Sequence, residues 1–173
     1  MKPQNCYENY PLWIVAISSM QQLAIYAIGA FIFSKLGSIW LLLYIFYVLF
    51  LEFRVFTKSC VHCYYYGKRC FTGRGLICSI FLSKGSPQSF LNRKVAFTDL
   101  IPEMMVALIP IFIGIGLLIL HFDWLLLILL VISFLLTSVG NGFIRGSLAC
   151  KFCKQKEVGC PAEQLLNKTE GIA

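Results

Sequence analysis

The sequence predicts an all-α, polytopic membrane protein with four transmembrane helices, and three observations carry that prediction. Of 173 residues, 58% are apolar and only 13% are charged, against roughly half and about a quarter in a soluble domain. Stretches close to the ~20 apolar residues that a spanning helix needs occur four times. Lysine and arginine gather in two segments, one between the second and third stretches and one after the fourth. So much apolar surface cannot be hidden in one small core, which excludes a soluble enzyme. The 15% aromatic content and the long apolar runs exclude a disordered chain.

The first span is expected from Leu12 to about Phe33 and the second from Ile39 to about Phe56. The third is expected from Ile101 to Leu120 and the fourth from Trp124 to about Ile144. Pro11 and Pro102 fall where helices one and three should begin, a position at which the missing N–H is unpaired in any case. Ser34 to Ser38 joins the first pair, and His121-Phe122-Asp123 the second. Links this short force antiparallel hairpins. No cleavable leader is expected, because Lys2 is the one base before the first apolar run and no clean small-residue site follows it.

The long loop carries Arg54, Lys58, Lys68, Arg69, Arg74, Lys84, Arg93 and Lys94, and the tail carries Arg145, Lys151, Lys154, Lys156 and Lys168. The two tight hairpins hold only Lys35. By the positive-inside rule, both termini and the cysteine segments are expected in the cytoplasm of a multi-pass cell-membrane protein. Asn167-Lys168-Thr169 is then a chance sequon.

An internal duplication is expected within this single membrane domain of residues 1–173. Cys60, Cys63 and Cys70 follow the pattern C-x2-C-x6-C, and so do Cys150, Cys153 and Cys160. Pro11 precedes Cys60 by 49 residues and Pro102 precedes Cys150 by 48. Phe53 and Phe143 share one offset from the first cysteine of each set. The repeats would run from about 9 to 98 and about 99 to 173, each a helical hairpin with a cysteine knuckle behind it. An even number of spans per repeat gives both the same orientation, so the two knuckles emerge on one face.

In a cytoplasmic segment such spacing points to metal rather than disulfides, since C-x2-C lets two thiolates of one turn reach one ion. Cys60, Cys63, Cys70, Cys150, Cys153 and Cys160 are the primary candidate ligands. Cys6 and Cys78 are secondary, Cys78 because its apolar surroundings from Gly75 to Leu82 fit a buried structural thiol equally well. Two four-thiolate sets are possible: Cys60, Cys63, Cys70 and Cys78, and Cys6, Cys150, Cys153 and Cys160. One shared site from Cys60, Cys63, Cys150 and Cys153 fits the same sequence. Zinc is favoured over an iron–sulfur cluster, because the C-x2-C-x2-C run of bacterial ferredoxins is absent. His62, between two cysteines, is expected to point away from the ion.

Inside the spans, Ser18, Ser19, Gln21 and Gln22 lie near the middle of helix one, and Ser133, Thr137 and Asn141 follow i, i+4 spacing on helix four. Such stripes glue helices together or line a small-molecule or quinone pocket. Gln21, Gln22, Glu103 and Asn141 form the candidate intramembrane polar site. Glu103 is also placed to favour the dipole of helix three, while Pro110, Gly114 and Gly116 are placed to kink it. Glu52 and Arg54 are expected to anchor helix two at the interface. The glycine-rich basic stretch from Lys68 to Gly75 lacks the Walker lysine pattern and suits anionic lipid headgroups. No nucleic-acid partner is expected, because topology accounts for the charge.

The stretch from Cys60 to Gly75, with Arg145 to Cys150 and Cys160-Pro161-Ala162-Glu163, resembles uncharacterised small cysteine-rich membrane proteins of methanogenic archaea. That resemblance implies no activity. Membrane palmitoyltransferases also carry a zinc-binding loop between spans two and three, but their Asp-His-His-Cys motif is missing. Quinone-linked disulfide-generating enzymes share the helix count, but their cysteines face the oxidising side. The expectation is a metal-thiolate membrane protein in the lipid bilayer, its metal structural or presented to a cytoplasmic protein. The alternative is redox transfer between a cytoplasmic donor and a quinone-like carrier. Soft-metal transport is disfavoured, because no cysteine lies within the spans and Met20 is the best-placed thioether.

Overall fold

The computed structural model describes residues 6–86, 88 and 97–160, the side chains of 97–100 and 158 excepted. The sequon, Lys2, Arg93, Lys94 and Lys168 lie outside the described residues. The described chain is helical, with helices α1 (Leu12–Leu36), α2 (Ser38–Lys58), α3 (Arg74–Phe81), α4 (Phe97–Leu120), α5 (Trp124–Leu135) and α6 (Gln155–Val158). Beyond Leu135 the fourth long helix continues through wide, i→i+5 turns at Leu136–Gly140 and Ile144–Ala149, with Asn141–Phe143 α-helical between them. It reaches Phe152 as one 29-residue apolar helix. Four helices are therefore long and apolar enough to cross a membrane. Their outward side chains suit lipid: Met20 and Phe46 are each 71% exposed and Ile119 is 80% exposed.

Both hairpins are antiparallel. In the first, Phe33 stacks on Tyr44 at 4.8 Å while Tyr26 bonds Glu52 nearer the open end. In the second, Leu126 and Leu130 pack with Ile113, Leu117 and Leu118. Lys35 and Asp123 meet at 3.7 Å, which places the two tight turns at one end of the bundle. Both side chains are nearly half exposed, so this pair marks geometry more than stability. Tyr7 and Tyr10 bond Phe152 and Arg69 through backbone groups, so the N-terminal segment and both cysteine segments share the opposite end.

Three boundaries differ from expectation, each for a local reason. The first connection is Gly37 alone rather than Ser34 to Ser38. Ser34 bonds the Phe31 carbonyl at 2.7 Å and stays helical, and Gly37 makes the reversal at φ 130°, where side chains are strained. Helix α4 begins at Phe97, so Pro102 and Glu103 lie inside it rather than in its first turn. The dipole role expected for Glu103 falls away, because that field fades beyond the first turn. The fourth long helix outruns Ile144 because helical hydrogen bonding continues where the apolar pattern stops.

Several polar groups inside the bundle are matched across helices. Pro110 has no N–H for the Val106 carbonyl four residues earlier. The buried Tyr44 hydroxyl donates to that carbonyl at 3.3 Å. Gly29 admits the Tyr44 phenol, because a side chain there would overlap it. Tyr47 donates to the Pro102 carbonyl at 2.9 Å. Gln21 donates to the Leu136 carbonyl at 2.7 Å, where the helix widens, and Gly140 leaves room for its amide. Gln21 thus acts as helix glue. Tyr44→Phe is expected to leave the Val106 carbonyl dry and cost about 1–3 kcal/mol, measured as a lower unfolding midpoint in detergent.

Candidate functional site

The two C-x2-C segments fold alike. Cys60–His62 and Cys150–Phe152 each form a tight 3-10 turn at the end of a long helix. The Cys63 N–H bonds the Cys60 carbonyl at 3.3 Å, and the Cys153 N–H bonds the Cys150 carbonyl at 3.4 Å. Three residues further on, Tyr66 N–H bonds the Cys63 carbonyl and Lys156 N–H the Cys153 carbonyl, both at 3.1 Å. In the first segment Gly75 packs against the carbonyls of Tyr65 and Lys68 so closely that no side chain fits. Its N–H donates to Cys70 Sγ at 3.3 Å.

These turns meet around three tyrosines. Tyr10, fully buried, donates to the Ala149 carbonyl at 2.6 Å. Tyr65 donates to the Tyr7 carbonyl at 2.6 Å and accepts from Lys154 N–H at 3.0 Å. Gln155 Oε1 accepts from Tyr64 N–H at 2.7 Å and from Cys63 Sγ at 3.6 Å. A residue of the second cysteine segment thereby holds the thiol of the first. Tyr7 pairs with Cys153 as a single parallel bridge, while Lys154 reaches Glu8 at 2.9 Å.

All eight cysteines are among the described residues and none is in a disulfide. Cys70, Cys78 and Cys63 lie within electrostatic range of Cys60, and Cys153, Cys70 and Cys160 within range of Cys63. Cys6 and Cys153 are neighbours too. Burial pushes the Cys63 thiol up to about 11, and the neighbouring thiols add to the effect. Burial likewise raises Cys153, with Cys160 and Cys150 contributing. Without a bound cation Cys63 and Cys153 are neutral at pH 7. Among the described residues no group of three or more His, Cys, Asp or Glu stands close enough to hold one ion. Cys78 is 1% exposed, and its thiol lies 3.9 Å from the Phe56 carbonyl, which fits the buried structural thiol. His62 is engaged by the Ser86 carbonyl at 3.0 Å.

A second feature lies between the helices, toward the cysteine-bearing end. A cavity of about 310 Å³ is lined by Gln22, Glu103 and Asn141, three of the four residues expected to form an intramembrane polar site. Gln21, the fourth, turns to Leu136 instead. The same cavity takes in Glu52, Arg74, Thr137 and Arg145. Glu52 accepts from Tyr26 at 2.6 Å and pairs with the Arg74 guanidinium, both charged side chains being about one-fifth exposed. Burial opposes the Arg74 charge and Glu52 more than offsets it. Glu52, expected to anchor helix two at the interface, instead lines the cavity. The signal it offered was a carboxylate inside the last third of an apolar helix. Arg74 also lies within electrostatic range of Cys60, so one side chain adjoins both features.

Fold and site together describe a four-helix membrane protein with a thiol-rich end and a polar cavity beside it. No family model, curated protein or solved structure matches the chain.

Proposed function

We propose that this is a metal-thiolate membrane protein built from two repeated hairpins, with both cysteine knuckles in the cytoplasm. Zinc is the favoured ion over an iron–sulfur cluster. The observation that carries the reading is the matched pair of C-x2-C turns, with the same hydrogen bonds, converging where Gln155 holds Cys63. The Gly75 N–H aimed at Cys70 Sγ supports it, because such donors stabilise a thiolate ligand. Cys60, Cys63, Cys70, Cys150, Cys153 and Cys160 are the donors, with Cys6 beside Cys153. Side-chain rotation within these neighbourhoods gathers them on the ion. Binding expels the thiol protons, so affinity rises with pH. The metal joins the repeats and gives a cytoplasmic protein a fixed surface.

Protein purified anaerobically in detergent is expected to carry zinc and no visible colour. Iron and sulfide with a broad absorbance near ~400 nm would replace zinc with a cluster. Protein free of any metal would overturn the reading.

A second reading is favoured by Arg74, which adjoins both the cavity and Cys60. In it, two thiols become a disulfide and release two electrons and two protons, which a quinone in the cavity takes up to become a quinol. A cytoplasmic dithiol reductant then restores the thiols. Thiols that cycle with applied potential in metal-free protein would establish it over the metal site.

A further inference from the structure

The cavity holds charges that the fold does not use. Glu52, Arg74 and Tyr26 satisfy one another. Glu103 and Arg145 line the same space, and neither makes an ion pair with a described residue. The Thr137 hydroxyl oxygen is shielded from solvent and has no hydrogen-bond partner among the described residues. It sits in the widened turn Leu136–Gly140, a departure from α-helical geometry that recurs at binding sites. The Asn141 amide, one turn on, likewise has no hydrogen bond within the described chain and lines the cavity.

We propose that this cavity binds the head of a zwitterionic aminophospholipid, a phosphate and a primary amine on an apolar body. Arg145, Asn141 and the Thr137 hydroxyl are all donors, which suits phosphate oxygens. Glu103 accepts from the ammonium group. A purely anionic head would leave Glu103 facing like charge, and a neutral carbonyl head would offer neither charge an ionic partner. The volume of about 310 Å³ lies at the small end of the range for ligand pockets, enough for a headgroup but not a whole lipid. Ile25, Val106 and Leu108 continue the wall in apolar side chains, and Met104 beside them is 52% exposed on the lipid-facing surface. The lipid's body therefore has an apolar path out of the bundle.

The test is lipid retention. Delipidated protein is placed in phosphatidylcholine nanodiscs doped equally with phosphatidylethanolamine and phosphatidylglycerol, and the retained lipid is read by native mass spectrometry. Phosphatidylethanolamine is expected to be retained about tenfold over phosphatidylglycerol, which is about one decade of affinity. Glu103→Gln should bring the ratio close to one, while Arg145→Gln should lower retention of both lipids, with helical content unchanged in each because both positions are exposed. Thr137→Val should likewise lower retention of both. Equal retention of the two lipids, a preference untouched by Glu103→Gln, or retention untouched by Arg145→Gln overturns the proposal. Binding of soluble phosphoethanolamine without lipid retention overturns the bilayer as the source, and retention of an added quinone with the lipids excluded overturns the zwitterion. The readout contains no cysteine or metal, so its failure is separate from failure of the metal reading.

Discussion

Arg74→Ala is expected to be among the most damaging single substitutions, lowering stability in detergent by about 3–5 kcal/mol, the usual cost of removing one partner from a buried pair. The guanidinium and the Glu52 carboxylate are each about one-fifth exposed, among Ile25, Leu51 and Val106. Removing Arg74 leaves Glu52 with only the Tyr26 hydroxyl as partner. Protonation relieves the charge but not the lost packing of the arginine stem. Glu52→Ala should cost a similar amount, since the stranded charge is then a cation. The double replacement by methionine should recover much of the loss, because pairing two desolvated charges yields little net energy over apolar contact. Denaturant midpoints of Arg74→Met, Glu52→Met and the double methionine variant close the cycle. An Arg74→Ala effect below about 1 kcal/mol, the scale of a surface pair, would mean that water reaches the pair.

That pair also shows how far the sequence could be read. The four spans were legible because ~20 apolar residues have few other uses, and all four helices form. Their ends were not, because hydropathy stops at the membrane while hydrogen bonding does not. Hence Gly37 alone makes the first reversal, and the fourth helix runs on past Arg145 to Phe152. The cysteine spacing located both turns, yet Gln155 as the clasp on Cys63 was invisible, being a residue whose role depends on a partner 92 positions away. Gln22, Glu103 and Asn141, which line one cavity, stood out in the sequence because polar groups in apolar spans are costly. Arg74 escaped the same rule. It lies in the basic loop, where the positive-inside pattern already accounts for its charge, and only tertiary structure turns it inward to Glu52.

Gly75→Ala carries the other large effect, and Gly116→Ala is its natural control. A Cβ on Gly75 would run into the backbone carbonyls of Tyr65 and Lys68, neither of which can rotate aside. The Gly75 carbonyl also accepts from Gly67 N–H at 3.0 Å, and its N–H serves Cys70 Sγ, so the loop cannot shift without losing both. The expected cost is about 2–3 kcal/mol, the upper part of the range for overpacking. It should appear as loss of the Tyr65 and Gln155 contacts, with far-UV helicity retained because the spanning helices do not depend on the loop. A Cβ on Gly116, close to the C-terminal end of α4, meets nothing within 4 Å. Alanine there should stabilise the helix by about 0.5–1 kcal/mol, the ordinary glycine-to-alanine difference. If both substitutions had the same sign, the loop would have slack, and the convergence of the two cysteine turns would not depend on Gly75. If they differ as expected, backbone packing at this one glycine helps to hold the thiol end together.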